Sequence, residues 1–206
     1  VMVSNKSAVK TVADAQKSEV TLAGTGVGST VSIYPTVMNN MFGTKYKLIM
    51  GYKGSSEAML AVERGEVEGH STAWEALKTA HPSWKDEGFV TLPVQFSLSR
   101  IAELPDVPAA IEFARTPDEK RVLEAILNAT EVGVAFFTTP GAPAERVTAL
   151  RRAFDATMQD PEFKTDLEKM RVSFAPMKGE DLQKLVAQVS DLPADITEQV
   201  RKVYQQ

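Results

Sequence analysis

The chain has no cysteine, which excludes a disulfide framework, a thiol nucleophile and a thiolate metal site. Histidine is nearly as scarce: His70 and His81 are the only two. Glu66, Glu68 and Glu75 lie nearby, but neither histidine fits H-E-x-x-H or a comparable metal spacing. Each reads as a surface or partly buried side chain, and no metal is expected. No apolar run approaches the roughly 18–20 residues of a membrane span. Val132–Phe137 is among the longer ones and is short, so direct membrane insertion is not expected. Val1–Lys10 lacks the basic start and long apolar core of a signal peptide. There is no excess of positive charge either, with 23 Lys and Arg against 27 Asp and Glu. The basic residues are dispersed, which argues against a nucleic-acid partner or an anionic-membrane footprint. No G-x-S-x-G occurs and Ser29 has no identifiable base, so a catalytic triad has no support. Repeats and low-complexity tracts are also missing. What remains is an ordinary globular composition, 43% hydrophobic and 24% charged. Such a chain suffices for one large domain or two small ones.

Read in order, the chain alternates strands and helices as far as Val132, which favours an α/β sheet with parallel neighbours. Strands are expected at Val1–Val3, Glu19–Ala23, Tyr46–Gly51, Glu66–Gly69 and Phe89–Phe96. Thr11-Val-Ala-Asp14 fits an N-cap with an acidic residue three on, opening a short helix. From Ser29 to Phe42 the apolar residues Val31, Tyr34, Val37, Met38 and Met41 recur at helical spacing, with Pro35 tolerable near the start and Gly43 as the stop. A third helix runs through Ala58, Met59, Ala61 and Val62 to Gly65. A fourth is expected over Trp74–Lys85, and a short one ending at Ala114. Thr116-Pro-Asp-Glu119 combines an N-cap, proline at N1 and glutamate at N3. Beyond Val132 the balance shifts to helix, around Val147, Leu150, Phe154 and Met158, then from Asp160-Pro161 and from Lys178-Gly179. Strands are expected there at Gly133–Thr138 and Val172–Ala175. The change of texture marks a boundary, with residues 1–132 on one side and 133–206 on the other.

The stretch with the clearest chemistry is Leu22–Ser32. Gly24-Thr25-Gly26-Val27-Gly28 follows a strand, and Ser29-Thr30 opens a helix. Such a turn exposes unpaired N–H groups at the positive end of a helix dipole and favours an anion. It is not G-x-G-x-x-G, no acidic residue stands about 20 positions on, and a P-loop ending is missing. The dinucleotide and Walker readings therefore fail. A small ligand carboxylate is the expected occupant, and a tight structural turn is the bland alternative. Tyr52-Lys53-Gly54-Ser55-Ser56 repeats the device at the next strand-to-helix junction. In an open α/β sheet such turns collect at the carboxyl edge, where ligands bind. Lys53 offers charge to a carboxylate, although a solvated lysine fits equally. Trp74, Trp84 and Phe136 are of a type that lines pockets and, more often, cores. A doubly wound enzyme holding a phosphate at the glycine turn is the alternative function.

Taken together, these residues carry a family resemblance. The Gly24–Ser29 turn, Tyr52-Lys-Gly54, Gly65-Glu-Val-Glu68 and Leu104-Pro-Asp-Val-Pro108 resemble the TctC or Bug proteins, periplasmic solute receptors of tripartite tricarboxylate transporters. Pro140-Gly-Ala-Pro143 and Asp160-Pro-Glu-Phe163 resemble the same family's C-terminal part. The resemblance implies a periplasmic-binding-protein-like (type II) α/β fold. It implies a complete lobe over residues 1–132, with a hinge strand within 1–10, and the C-terminal half of a second lobe over 133–206. The family's leading βα segment is expected to precede Val1, and its absence here would leave a lobe edge that another copy covers in a dimer. The implied function is non-enzymatic capture of a small di- or tricarboxylate, aromatic acid or related organic acid by closing lobes. Delivery to the transporter's membrane subunits would follow, with no cofactor. The implied ligand residues are Gly24, Thr25, Gly26, Val27, Gly28, Ser29 and Thr30, then Lys53, Gly54 and Ser55, then Ser71, Thr72 and Phe136. Many family members carry Asp where Thr72 aligns, a departure that bears on any ligand amine or hydroxyl an Asp would contact.

Overall fold

The computed structural model describes residues 1–132, 135–170 and 174–205. It divides into two compact units, Val1–Leu127 with Pro193–Gln206, and Asn128–Leu192.

The first unit is built on a five-stranded sheet of β1 (Met2–Ser4), β2 (Val20–Gly24), β3 (Tyr46–Met50), β4 (Gly69–His70) and β5 (Val90–Thr91). The order across the sheet is β3-β2-β4-β1-β5. β2 is parallel to β3 and to β4, whereas β1 is antiparallel to β4 and β5. Between them run α1 (Val12–Lys17), α2 (Thr30–Phe42), α3 (Ser55–Arg64) and α4 (Trp74–Ala80).

Local chemistry sets most boundaries. Thr11 and Asp14 form the reciprocal capping box expected of them, the Asp14 amide donating to Thr11 Oγ1 at 3.1 Å. Gly43 and Gly65 end α2 and α3 in the left-handed region, with φ of 69° and 75°, where a side chain would be strained. Gly69 is fixed by packing instead, because a Cβ there would collide with the Met2 carbonyl and the Leu22 side chain. One face of the sheet packs with α3 around Met2, Ala23, Met59, Val62, Leu77 and Trp84, all buried. Side chains of that size contribute roughly 1.5–3 kcal/mol each.

Four elements differ from the sequence pattern. β4 occupies Gly69–His70 rather than 66–69, because Glu66 completes the end of α3 by donating its amide to Ala61 at 2.9 Å. α4 stops at Ala80, before Lys85, since Pro82 disfavours helical geometry in the residue ahead of it. β5 spans two residues rather than 89–96, since Pro93 cannot donate to the ladder; Gln95 regains a single bridge to Ala109. The segment ending at Ala114 is a 3₁₀ turn, Ala110–Phe113.

The run from Ala102 to Pro108 is folded around Gln95. Its side-chain amide donates to the Leu104 and Val107 carbonyls at 3.0 and 2.6 Å, and its oxygen accepts from the Ile101 amide at 3.0 Å. Arg100 clamps Glu112 with two bonds of 2.7 Å. That guanidinium and the Ala109 amide hold the Glu112 carboxyl down at about 2. The helix predicted from Thr116-Pro-Asp-Glu is α5 (Pro117–Glu131), with Val122, Leu123, Ile126 and Leu127 buried.

The second unit carries α6 (Ala144–Gln159), α7 (Pro161–Lys169) and α8 (Gly179–Ser190). Asp160 caps α7 by accepting the Phe163 amide at 2.9 Å. Neither α6 nor α7 buries a residue. Arg151 of α6 binds Gln183 and Glu180 of α8 at 2.6 and 3.2 Å. The strands expected at Gly133–Thr138 and Val172–Ala175 lie partly outside the described residues, at 133–134 and 172–173. Their described parts, 135–138 and 174–175, form no strand.

The last helix, α9 (Ala194–Tyr204), belongs to the first unit, although the sequence pattern groups it with 133–206. It packs on α2, where Asn40 donates to the Val203 and Gln205 carbonyls at 2.8 and 2.9 Å, and it buries Ile196.

Candidate functional site

Because β3, β2 and β4 are parallel neighbours, the segments leaving their carboxyl ends share one edge of the sheet. That edge brings together Gly24–Thr30, Lys53–Ser55 and Ser71–Thr72. The Tyr52 amide donates to the Gly24 carbonyl at 3.3 Å and ties the first two segments to each other. Phe136 belongs to the second unit, where it is 83% exposed.

The glycines of the first turn have different reasons. A Cβ on Gly24 would lie 2.5 Å from Met50 Sδ and 3.2 Å from Ser32 Oγ, so glycine lets β3 and α2 close over the end of β2. A Cβ on Gly26 or Gly28 would meet nothing within 4 Å, and neither backbone is left-handed. Packing does not require glycine at these two positions. Their bare backbone does allow a ligand to approach the amides closely.

Ser29 occupies the N-cap of α2, but its hydroxyl does not cap the helix. It donates to the Gly26 carbonyl at 2.8 Å and accepts from Thr25 Oγ1 at 3.0 Å. The Ser32 and Ile33 amides both donate to the Ser29 carbonyl, at 3.0 and 2.9 Å. Among the described residues, no protein group accepts from the amides of Gly28, Thr30 or Val31. The first turn of α2 has no acidic residue, and nothing from Val20 to Thr44 is charged. An anion here would meet open amides, nearby hydroxyls and the helix dipole, with no carboxylate of the protein's own in the way. Charge-assisted bonds of this kind contribute about 1.5–3 kcal/mol each.

The turn into α3 differs in that respect. Its first helical turn contains Glu57, whose Oε2 accepts the Lys53 amide at 2.7 Å. A protein carboxylate already sits at this helix start, and a ligand carboxylate would meet like charge. The Lys53 side chain is exposed and has no ion pair among the described residues.

At the exit of β4, His70 is wholly buried. Its Nδ1 lies 2.9 Å from the Ala23 carbonyl, an acceptor only, which assigns the proton to Nδ1. Its Nε2 is buried with no hydrogen-bond partner among the described residues, as is Thr72 Oγ1. Burial pushes the imidazole below its usual pKa, and the Ala23 bond opposes this. His70 therefore presents an unfilled acceptor beside the end of β2. Its sequence neighbourhood marks it only as a partly buried histidine, because the Ala23 carbonyl lies 47 positions away.

The other residues weighed from sequence are engaged. His81 stacks on Trp84 with ring centroids 3.6 Å apart, and Trp84 is a core side chain. Trp74 Nε1 donates to Glu103 at 2.8 Å, and Lys78 bonds the same carboxylate. Among the described residues no three His, Asp or Glu side chains are grouped to hold a metal.

Residues 2–201 match the family model described as TctC, the tripartite tricarboxylate transporter family receptor. Similar solved structures include a TctC solute binding protein from Polaromonas, at 18% identity over 98% of this chain and 65% of that one, with a TM-score of 0.64. An R. palustris protein solved with adipate aligns at 17% identity over 98% of this chain and 64% of that one, with a TM-score of 0.61. A third, described as a periplasmic transporter, aligns at 18% identity over 92% and 60%, with a TM-score of 0.58. These likenesses give the chain the mixed α/β fold of periplasmic binding proteins. No curated protein matches it. The chain spans less than two thirds of the length of these solved structures. The family match runs through the glycine turn, the Tyr52 turn and the loop around Gln95 alike, and this chain belongs to the tripartite tricarboxylate transporter family of receptors.

Proposed function

We propose that the protein is a periplasmic solute receptor that captures a small organic acid and delivers it to the membrane subunits of a tripartite tricarboxylate transporter. The observation that carries this reading is the start of α2. Among the described residues the amides of Gly28, Thr30 and Val31 are without protein acceptors, behind two glycines that packing does not require. A carboxylate fits that place: it accepts several N–H bonds and satisfies the helix dipole. Thr25 and Ser29 line the approach. The adipate bound to the R. palustris protein is in keeping with an acid as the solute. No helix among the described residues is long and apolar enough to cross a membrane, so transfer across the bilayer falls to the partners. The protein carries its ligand unchanged on this reading, in keeping with its membership of a receptor family.

Calorimetry on the full chain tests this against adipate, succinate, citrate, benzoate and glucose 6-phosphate. Saturable binding of at least one carboxylate is expected, weakened about 100-fold or more by Thr30→Asp. Binding of the phosphate ester alone would overturn the reading in favour of a phosphate-holding enzyme.

A further inference from the structure

We infer that the solute is an acid carrying a neutral hydrogen-bond donor, a hydroxyl above all, and that His70 and Thr72 select it. This rests on the carboxylate reading of the α2 turn. The ground for it is the pair of buried, unpartnered atoms, His70 Nε2 and Thr72 Oγ1, at the exit of β4. β4 pairs with β2 so that His70 lies opposite Ala23, one residue before the glycine turn begins. The imidazole is pinned there by its Nδ1–H, which donates to Ala23.

With the proton on Nδ1, Nε2 is a lone pair and nothing else. A carboxylate oxygen cannot satisfy it, because two acceptors would face each other. A hydroxyl or amide N–H can. Thr72 Oγ1 both donates and accepts, so a hydroxyl can serve both residues in turn. An ammonium group would also donate, but it needs a counter-charge. The acidic side chains near this exit are committed elsewhere. Glu68 accepts from Ser7 and Thr21 at 2.9 and 3.0 Å, and Glu75 Oε2, buried without a hydrogen bond, lies 3.0 Å from Lys78 Nζ, which offsets its charge. The unfilled acceptor therefore favours a neutral donor over a cationic one. Thr72 is half-buried, so its side chain is free to change rotamer as a ligand group enters. An acid lacking the donor would bind while both protein atoms stay unpaired, which is the arrangement that discriminates strongly between ligands differing by one hydroxyl.

The experiment uses matched acids: succinate, malate and aspartate, and adipate, 2-hydroxyadipate and 2-aminoadipate, each as separate enantiomers where chiral. Isothermal calorimetry on the full chain is expected to give one hydroxy acid an affinity about 100-fold above its plain counterpart, with the amino acid no better than the plain one. His70→Asn keeps a donor near the position of Nδ1 and removes Nε2. It is expected to bring the ratio to about tenfold or below, the ratio being taken within the variant so that a general loss of affinity does not count. Thr72→Val is expected to reduce it less. In the unaltered protein, the ¹⁵N resonance of His70 Nε2 is expected to move on adding the hydroxy acid and to stay in place with the plain one. Equal affinities within both sets, or a preference unchanged in both variants, would overturn the inference while leaving the carboxylate reading intact. A still Nε2 resonance at saturation, as when an internal water fills the place, would do the same. Binding of none of the six acids would overturn this inference, and if citrate and benzoate also fail to bind, the carboxylate reading falls with it.

Discussion

The turns into α2 and α3 use the same materials, glycine and serine between a parallel strand and a helix, and they sit side by side on one sheet edge. Their electrostatics are opposite. At α2 the amides of Gly28, Thr30 and Val31 are open and no charge lies between Val20 and Thr44. At α3, Glu57 supplies the anion from within by accepting the Lys53 amide. A Gly/Ser turn is thus not by itself a place for a ligand carboxylate; the first acidic residue of the following helix decides. One helix start is open among the described residues, and its neighbour is occupied by the protein's own carboxylate.

The largest effect is expected from making the first turn resemble the second. Thr30→Asp puts a carboxylate at N1 of α2. It is expected to weaken binding of the preferred organic acid by about 100-fold or more through like charge at short range. The same change is expected to raise stability by about 0.5 kcal/mol through the helix dipole. Calorimetry and urea denaturation read the two signs separately, and a joint loss of affinity and stability would mean mere damage.

A smaller contrast separates the glycines. Gly24→Ala displaces the flexible, part-exposed Met50 and presses on the buried Ser32, and is expected to cost about 1 kcal/mol. Gly26→Ala meets open space and is expected to leave stability unchanged or raise it by about 0.4–1 kcal/mol, while weakening the bound acid by about tenfold. A loss of stability at Gly26 comparable to that at Gly24 would make the turn a purely structural one.

Reversing the second turn is gentler. Glu57→Gln removes a carboxylate bonded to a backbone amide and is expected to lower stability by about 0.5–1 kcal/mol. Affinity for the acid should stay within about twofold, the usual reach of a surface change remote from the bound group. A large gain in affinity would instead make α3 a second anion site.

The smallest effect concerns pH. His70 is held below the usual histidine value of about 6.5 by burial. Its folded form therefore binds fewer protons than its unfolded form as the pH approaches that value. Its contribution to stability is complete above pH about 6.5 and is lost as the pH falls through the lower folded value. The thermal midpoint should drop between pH 7 and 5 by more in the unaltered protein than in His70→Asn. Equal drops would assign the acid sensitivity in this range to groups other than His70.

What the sequence made legible was local. The Thr11–Asp14 box, the glycine stops at 43 and 65 and the Pro117 helix start depend on residues within a turn of one another, and all stand where the pattern puts them. The glycine turn and its position on a carboxyl edge follow from the βα alternation. The short β5 was harder, because its length depends on pairing with β1 and on Pro93. α9 looked like a continuation of the C-terminal helices, yet Asn40, more than 160 positions earlier, fastens it to α2. His70 was the least legible of all, since its significance lies in one nitrogen with a distant partner and one with none. The difference between the two turns, by contrast, was written four residues from Lys53, in Glu57. The first turn of α3 contains Glu57, and that of α2 contains no acidic residue.

The direct test of that difference is an amide titration. Backbone ¹H–¹⁵N resonances of Gly28, Thr30 and Val31 should move progressively and saturate as the preferred acid is added, while those of Lys53 and Gly54 stay nearly fixed. Movement centred on Lys53 and Gly54, with Gly28, Thr30 and Val31 unmoved at saturation, would contradict the account.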